Sequence, residues 1–360
     1  MRILMAMSGG IDSSVAAMLL LEQGHELVGV TFRTFDSIKE SCIAREKGCC
    51  SVESIMEAKH LAERLGFEHH ILDYRQVFRE TVISNFIDEY SHGRTPNPCV
   101  LCNSHIKWGV LLRAADQYGC SMIATGHYAQ IAQRRGHYYL KQAVDTRKDQ
   151  TYFLWMLTEE NLQRTVFPLG GLTKIQVRDI AAQRGFQRLS VKRESQEICF
   201  IPDNDYRSFL SEQGIRSESG DYIDIEGKIL GKHNGYQNYT IGQRKGLGIA
   251  LGEPRFVTKI DALTNRVTLG SHDDLYTNDI TADNVLLRDR EWLAESPRVE
   301  VRIRYRSAAV EAEINRDALA EYNTSKRLTL RTAEPVWGLT PGQSLVIYKD
   351  GLIVGGGIIG

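Results

Sequence analysis

The sequence predicts an α/β protein: an N-terminal, mostly parallel sheet domain, then a small central β domain and a C-terminal β-barrel. Three observations carry this. Apolar strand-like runs alternate with helical patterns over residues 1–130. A Ser-Gly-Gly loop, Ser8–Gly10, joins the first such run to the first helical pattern. Beyond Gln213 the composition turns to short strand-like pieces separated by Gly, Asn and Asp. The expected domains are residues 1–205, 206–275 and 276–360.

The strand-like runs are Ile3–Met7, Leu27–Phe32, His70–Leu72 and Met122–Ala124, with helical patterns at Val15–Leu21, Ile55–Leu65, Val77–Tyr90 and Ile106–Tyr118. A parallel sheet of this kind places ligands at the carboxyl ends of its strands, where Ser8–Ser13 and Thr125-Gly126-His127 both fall. The pattern from Tyr152 to about Arg184 reads as helical, broken at Pro168–Gly171, and a short helix is expected at Tyr206–Gln213. Asp221–Gly270 reads as short strands. Arg298–Tyr305, Arg327–Thr332, Ser344–Tyr348 and the Gly-rich Leu352–Gly360 are expected to build the barrel.

The chain has 360 residues, too many for one ordinary core, and its 42% hydrophobic and 25% charged residues are those of a soluble globular protein. No apolar run approaches a membrane span. The N-terminus enters a strand directly, so the cytoplasm is the expected compartment. Seven cysteines, an odd number in a long chain, argue against a secreted disulfide framework. A net charge of −1 gives no global attraction to nucleic acid, so RNA binding would rest on local basic surfaces. Arg302, Arg304 and Arg306 alternate with Ile303 and Tyr305, which on a strand puts three guanidiniums on one face. A solvated outer face opposite Glu311 and Glu313 is the competing reading. Arg164, Lys174, Arg178, Arg184 and Arg188 add basic character that solvation alone would explain.

A strand turning through Ser8-Gly9-Gly10 into a helix presents backbone N–H groups and a positive helix end to an anion. Glycine lets a phosphate approach the backbone, while Asp12 and Ser13 suit a helix cap and a Mg2+ on the phosphates. A tight turn without a ligand is the alternative. No Lys follows the glycines, so this is not the phosphate loop of ATPases.

Thr95-Pro96-Asn97-Pro98-Cys99-Val100-Leu101-Cys102-Asn103 is a stiff, proline-rich loop that sets Cys102 just ahead of the helix expected near Ile106. A thiolate there gains from the helix dipole. Cys199 lies far along the chain, flanked by apolar residues. Three readings stand: buried hydrophobes, which suits Cys120; a metal site on Cys99, Cys102 and Cys199; or thiol relay chemistry. Cys42, Cys49 and Cys50 could form a separate cluster within an insertion expected to be a mobile loop. His127 suits either an RNA phosphate or a structural hydrogen bond.

The Ser8–Ser13 loop resembles the S-G-G-x-D-S loop of the adenine-nucleotide hydrolase superfamily, whose members split ATP between the α and β phosphates. Together with Gly93–Asn103, Thr125–Tyr128, Lys148–Leu154, Ile198–Ile201, Thr240–Gly248 and Thr340–Gln343, it resembles the tRNA-specific 2-thiouridylases, the MnmA/TrmU family, in the same order along nearly the whole chain. The resemblance implies a sulfurtransferase that replaces the 2-oxygen of the wobble uridine in tRNAs for Lys, Glu and Gln. ATP would adenylate that oxygen, with Mg2+, and leave as AMP and diphosphate. It implies that Cys199 carries a persulfide, that Cys102 is the nucleophile releasing product sulfur, and that a transient disulfide joins them. It assigns ATP to Ala6, Met7, Ser8, Gly9, Gly10, Ile11, Asp12 and Ser13, with Phe32 and Gly126. It assigns the extruded base to Asn97, Pro98 and Cys99. Further tRNA contacts would come from His127, Asp149, Gln150, Thr151, Arg304, Tyr305 and Gln343. Part of the family has Asp where this chain has Cys99, which withholds a catalytic role there and keeps the iron–sulfur alternative open. The implied partners are tRNA and a sulfur-donor protein, a cysteine desulfurase or persulfide relay, with the chain itself a monomer. Competing readings are another ATP-adenylating synthetase of the superfamily or a non-catalytic nucleotide- or RNA-binding protein.

Overall fold

The structure, a computed structural model, describes residues 1–35, 52–187, 198–201 and 205–360. Cys42, Cys49, Cys50, Arg188 and Ser195–Glu197 lie outside the described residues. Two compact units divide the chain: the described parts of residues 1–82, 99–204 and 351–353 form one, and those of 83–98, 205–350 and 354–360 the other.

The first unit is built on a parallel sheet. Its strands are β1 (Arg2–Ala6), β2 (Glu26–Arg33), β3 (Glu68–Asp73), β4 (Met122–Ala124) and, after the hairpin β5 (Gln130–Arg134) and β6 (His137–Lys141), β7 (Thr165–Val166). The order is β3-β2-β1-β4-β7, and every pairing is parallel. Ile3, Leu4 and Met5 of the central strand are fully buried, as a strand covered on both faces requires. Burying side chains of that size is worth about 2 kcal/mol each. Order along the sheet reverses between β1 and β4, which opens a crevice at their carboxyl ends.

Helix α1 (Ile11–Glu22) follows β1 and packs almost all round, with Val15, Ala16 and Ala17 fully buried. The α2 helix (Val52–Leu65) is amphipathic and puts Ala58, Leu61 and Ala62 on the same core. Val77–Tyr90, expected as one helix, divides into α3 (Arg75–Phe78), a π-helical stretch Arg79–Ile83 and α4 (Ser84–Ser91). The helix expected from Ile106 begins earlier. It runs as α5 (Pro98–Leu101), a π-helical stretch Cys102–Trp108 and α6 (Gly109–Gln117). Pro98 explains the early start, since its fixed φ and missing N–H suit the first helical position. Tyr152–Arg184 is not continuously helical: α7 (Glu159–Gln163) and α8 (Lys174–Gln183) flank β7, and Thr158 and Thr173 start the two helices with capping boxes. The β5–β6 hairpin lay unread in the sequence; its Lys141 pairs with Leu352.

The second unit holds two β assemblies. A four-stranded sheet, β10-β11-β8-β9, joins β8 (Gly220–Ile223), β9 (Ile229–His233), β10 (Phe256–Asp261) and β11 (Arg266–Gly270) around Tyr222, Val257, Val267 and Leu269, all fully buried. The rest is an antiparallel barrel of β12 (Tyr276–Leu287), β13 (Arg298–Arg302), β14 (Val310–Glu313), β15 (Leu328–Trp337), β16 (Ser344–Lys349) and β17 (Leu352–Ile359). The pairing of β12 with β17 closes the ring of six strands. The expected α/β class with parallel sheet, central β domain and terminal barrel is observed. Among the described residues no helix is long and apolar enough to cross a membrane.

His69 Nε2 on β3 donates to Thr31 Oγ1 at 2.8 Å, because the Thr31 hydroxyl proton is itself donated to the Met7 carbonyl at 2.8 Å. Burial first, then the neighbouring His70 and Lys59 charges, hold the imidazole down at about 4. The folded protein therefore binds fewer protons at His69 than the unfolded chain between pH 6.5 and about 4. This contribution is complete above pH 6.5 and is lost as pH falls through that window. Urea midpoints measured from about pH 7 to about pH 5 are expected to fall. The fall should be shallower in His69→Gln; an equal slope in both proteins removes His69 as a cause.

Candidate functional site

The Ser8–Ser13 loop follows β1, and Gly10 is the N-cap of α1, in extended conformation with no side chain closing the helix end. Asp12 and Ser13, expected as caps, do other work. Ser13 Oγ accepts from the Ser8 amide at 3.2 Å and donates to the Gly10 carbonyl at 3.1 Å, tying the loop across itself. The helix end is thus uncapped by side chains and offers its amides and dipole outward. Gly9 has φ +66°, and a Cβ there would stand 2.1 Å from the Ser54 carbonyl of α2. Only glycine meets both demands.

Asp12 is the centre of the loop's electrostatics. Lys174 Nζ, at the first position of α8, donates to both its oxygens at 2.7 and 2.8 Å. The Tyr128 hydroxyl donates to Oδ1 at 2.8 Å. Lys174 is 8% exposed, so it is a committed partner and not the solvated cation expected from the sequence. It also supplies the positive charge that the loop itself lacks. Gly126 completes the crevice: a Cβ would meet the Ser13 amide nitrogen at 2.7 Å and the Asp12 carbonyl carbon at 2.8 Å. Its role here is close apposition of the β4 end to α1. Phe32, at the end of β2, packs edge-on against Tyr74 with ring centroids 5.9 Å apart. Ala6, Met7 and Ile11 enclose the loop from below, Met7 and Ile11 each 3% exposed.

Lys148–Thr151 turns largely inward. Asp149, 4% exposed, accepts from the Ala143 amide at 3.0 Å and the Thr151 hydroxyl at 2.7 Å. Gln150 Oε1 accepts from the Tyr128 amide at 2.9 Å, and the Gln150 amide donates to the Tyr128 carbonyl at 2.9 Å. The stretch therefore braces Tyr128, which braces Asp12. His127 bonds through Nδ1 to Thr125 Oγ1 at 2.8 Å and packs between Trp108 and Phe167. Burial first, then the Lys107 charge, push it well below its ordinary pKa, so it is neutral at physiological pH. A neutral ring cannot form an ion pair with phosphate.

Both thiol segments of interest lie in the first unit. Cys102 is half-buried and stands one turn inside the helix that Pro98 starts. The expected placement just ahead of a helix N-terminus, with its dipole advantage, is therefore corrected. Asn103, 3% exposed, donates from Nδ2 to the Phe153 carbonyl at 3.0 Å. Cys199 is exposed on a turn closed by the Ile201 amide to the Ile198 carbonyl at 3.0 Å. Phe200, 1% exposed, anchors that turn against Phe78 of α3 at 5.6 Å and against Phe35 at 6.3 Å. α3 in turn packs against the π-helical stretch that Cys102 opens. The segments that carry the two cysteines, 97 positions apart, thus both pack against α3. Cys120 is 3% exposed, as a small buried hydrophobe would be. Among the described residues no three His, Cys, Asp or Glu side chains are placed to hold a metal ion.

In the second unit Asn97 and Pro98 end a loop whose Thr95 amide donates to the Pro341 carbonyl at 2.8 Å. Gln343 Nε2 donates to the carbonyls of Thr95 at 3.0 Å and Pro96 at 3.1 Å. The three-arginine strand face does not form. Strand β13 ends at Arg302, and Arg304, Tyr305 and Arg306 lie in the bend and turn that follow. Arg304 donates to the Gly338 carbonyl and, at 2.9 Å, to Thr340 Oγ1, with its guanidinium 5.5 Å from the Trp337 ring.

Known proteins agree in order along the chain. Residues 1–203 match the family described as tRNA methyl transferase HUP domain, 207–271 the tRNA methyl transferase PRC-barrel domain, and 280–359 the Aminomethyltransferase beta-barrel domain. The tRNA-specific 2-thiouridylase MnmA of Cytophaga hutchinsonii is 45% identical, over 99% of this chain and 97% of that protein. The proteins of the same description from Amoebophilus asiaticus and Clostridioides difficile are 46% and 42% identical, each over 99% of this chain, and over 95% and 98% of their own lengths.

The apposition at Gly126 yields a test. Gly126→Ala forces the β4 end off α1 at a steric cost of about 1–3 kcal/mol. ATP affinity measured by calorimetry is expected to fall about tenfold. Unchanged affinity would show that the close approach does not shape the loop.

Proposed function

This chain belongs to the tRNA-specific 2-thiouridylase family, and on that premise we propose that it thiolates the wobble uridine of tRNAs for Lys, Glu and Gln at C2, cleaving ATP to AMP and diphosphate. The observation that carries the reading is the uncapped N-terminus of α1, with its lysine-clamped Asp12, in the same unit as two cysteine segments that both pack against α3.

A uridine carbonyl oxygen is a very poor leaving group. Transfer of AMP to that oxygen turns it into a good one, which is what cleavage between the α and β phosphates supplies. The α1 amides and Lys174 suit the phosphate charge. Asp12 has the hard oxygen donors that Mg2+ prefers, but Lys174 Nζ already bonds both of them, so Asp12 would hold a Mg2+ on the phosphates only with that lysine displaced. Phe32 and Tyr74, edge to face at the end of β2, offer an apolar wall for the adenine.

Sulfur arrives on Cys199 as a persulfide from a donor protein, and the exposed turn suits that delivery. The terminal sulfur attacks C2, and AMP departs with the uridine oxygen. The Cys102 thiolate then attacks the Cys199 sulfur, expelling the thiouridine sulfur and leaving a Cys102–Cys199 disulfide. The two thiols are oxidised, the sulfane sulfur is reduced, and an external thiol restores the enzyme. Reaching C2 requires the base to leave its stack, a role assigned to the Asn97-Pro98-Cys99 stretch, with Arg304 and Tyr305 on the tRNA. The chain acts as a monomer in this scheme.

A reconstituted reaction with ATP, cysteine desulfurase, cysteine and unmodified tRNA tests the scheme by following thiouridine and AMP together. Cys102→Ser and Cys199→Ser are expected to lose thiouridine formation at least a hundredfold while ATP affinity stays within about twofold of wild type. Thiouridine formation surviving both substitutions favours a superfamily synthetase that does not use thiols. ATP binding without tRNA-dependent AMP release favours a non-catalytic binder. Lys174→Met is expected to raise the ATP Kd about tenfold or more, because Asp12 then faces the phosphates without its cation.

A further inference from the structure

The turn Gly338–Gln343 connects two features that the sequence treats as separate. On one side Arg304 donates to the Gly338 carbonyl and to the Thr340 hydroxyl. On the other the Pro341 carbonyl accepts from the Thr95 amide, and the Gln343 side chain donates to the Thr95 and Pro96 carbonyls. The Gln343 amide is itself fixed, donating to the Thr340 carbonyl at 3.2 Å, and its carbonyl accepts from the Ile359 amide at 2.8 Å. Three hydrogen bonds from one rigid turn thus hold the two residues that precede Asn97 and Pro98. Pro96 and Pro98 lack N–H donors, so the loop has few backbone bonds available to fix it from within.

We propose that Gln343 is a positioning residue whose amide clamps Thr95 and Pro96, setting where Asn97 and Pro98 stand for the extruded base. It therefore governs turnover on bound tRNA rather than tRNA affinity. The proposal rests on the thiouridylase reading for the identity of the base and on the observed hydrogen bonds for the clamp. Donation from Gln343 Nε2 to RNA would spend the same two N–H bonds that the Thr95 and Pro96 carbonyls already take, which leaves only Oε1 to meet RNA. Removing both bonds costs roughly what two neutral hydrogen bonds contribute, which sets the scale of the effect.

The experiment compares full-length wild type, Gln343→Met and Gln343→Lys. Methionine keeps the length and removes the donors; lysine keeps donors within reach of both carbonyls. Gln343→Met is expected to lower turnover at saturating tRNA about tenfold while the tRNA Kd stays within twofold. Gln343→Lys is expected to retain turnover within about threefold. In the free protein, hydrogen exchange at the Thr95 amide should accelerate in Gln343→Met and remain near wild type in Gln343→Lys. A raised tRNA Kd with unchanged turnover, equal losses in Met and Lys, or unaltered exchange at Thr95 overturns the proposal. Absence of tRNA-dependent AMP release in wild type would instead overturn the thiouridylase reading, and the exchange comparison would still judge the clamp.

Discussion

The carboxylate of Asp12 is the point on which the first unit's site depends. It stands in the first turn of α1, where the helix dipole favours an anion. Lys174 and Tyr128 then converge on it from α8 and from beyond β4, 162 and 116 positions away in the sequence. A lysine so shielded from water needs a partner, and a single carboxylate bonded through both oxygens satisfies it. Gln150 reaches Tyr128 through two further hydrogen bonds, so three distant segments fix one acidic side chain. The loop that would receive a phosphate is thereby preorganised, and little ordering is left for the ligand to impose.

Topology makes this convergence possible. The sheet order reverses between β1 and β4, so the loops after those strands diverge to opposite faces and leave a crevice between them. Gly126 and Gly9 let backbone approach backbone on its two sides, at the Asp12–Ser13 peptide and at Ser54. A side chain at either position would push apart the amides that the site offers. The thiols obey a different constraint. Phe200 buries itself against Phe78 and leaves Cys199 exposed beside it, a division between anchor and reactive atom that apolar flanks on a cysteine make possible.

The barrel supplies rigidity of another kind. The pairing of β12 with β17 closes its six strands into a ring, and the turn after β15 is locked through Arg304, Thr340 and Gln343. Arginine at 304 is held by a backbone carbonyl, a hydroxyl and the Trp337 ring together, a multidentate role that a point-charge lysine would not reproduce. The loop carrying Asn97 and Pro98 is tied to this barrel turn through Thr95 and Pro96.

Alternation of strands and helices, the Ser-Gly-Gly loop and the shift to short strands are local patterns, and the sequence by itself determined the fold class through them. Ile3–Met5 must be covered on both faces, and Met122–Ala124 emerges as the strand it reads as, because apolar runs of that length have few alternatives. Motifs contiguous in the chain, the Ser8–Ser13 loop and the cysteine segments, were legible for the same reason. The start of Cys102's helix was misjudged because Pro98 outweighed the weaker signal at Ile106. Alternating arginines after Val301 suggested a strand face, but the strand stops at Arg302 and the Arg304 guanidinium finds partners that no periodicity reveals. Lys174 carried no sequence signal separating it from solvated cations. Only tertiary structure decided that it meets Asp12, that Gln343 meets Thr95 and Pro96, and that the segments of Cys102 and Cys199 both pack against α3. Each is a contact between residues remote in the chain, and such contacts depend on how the elements pack, which local composition does not encode.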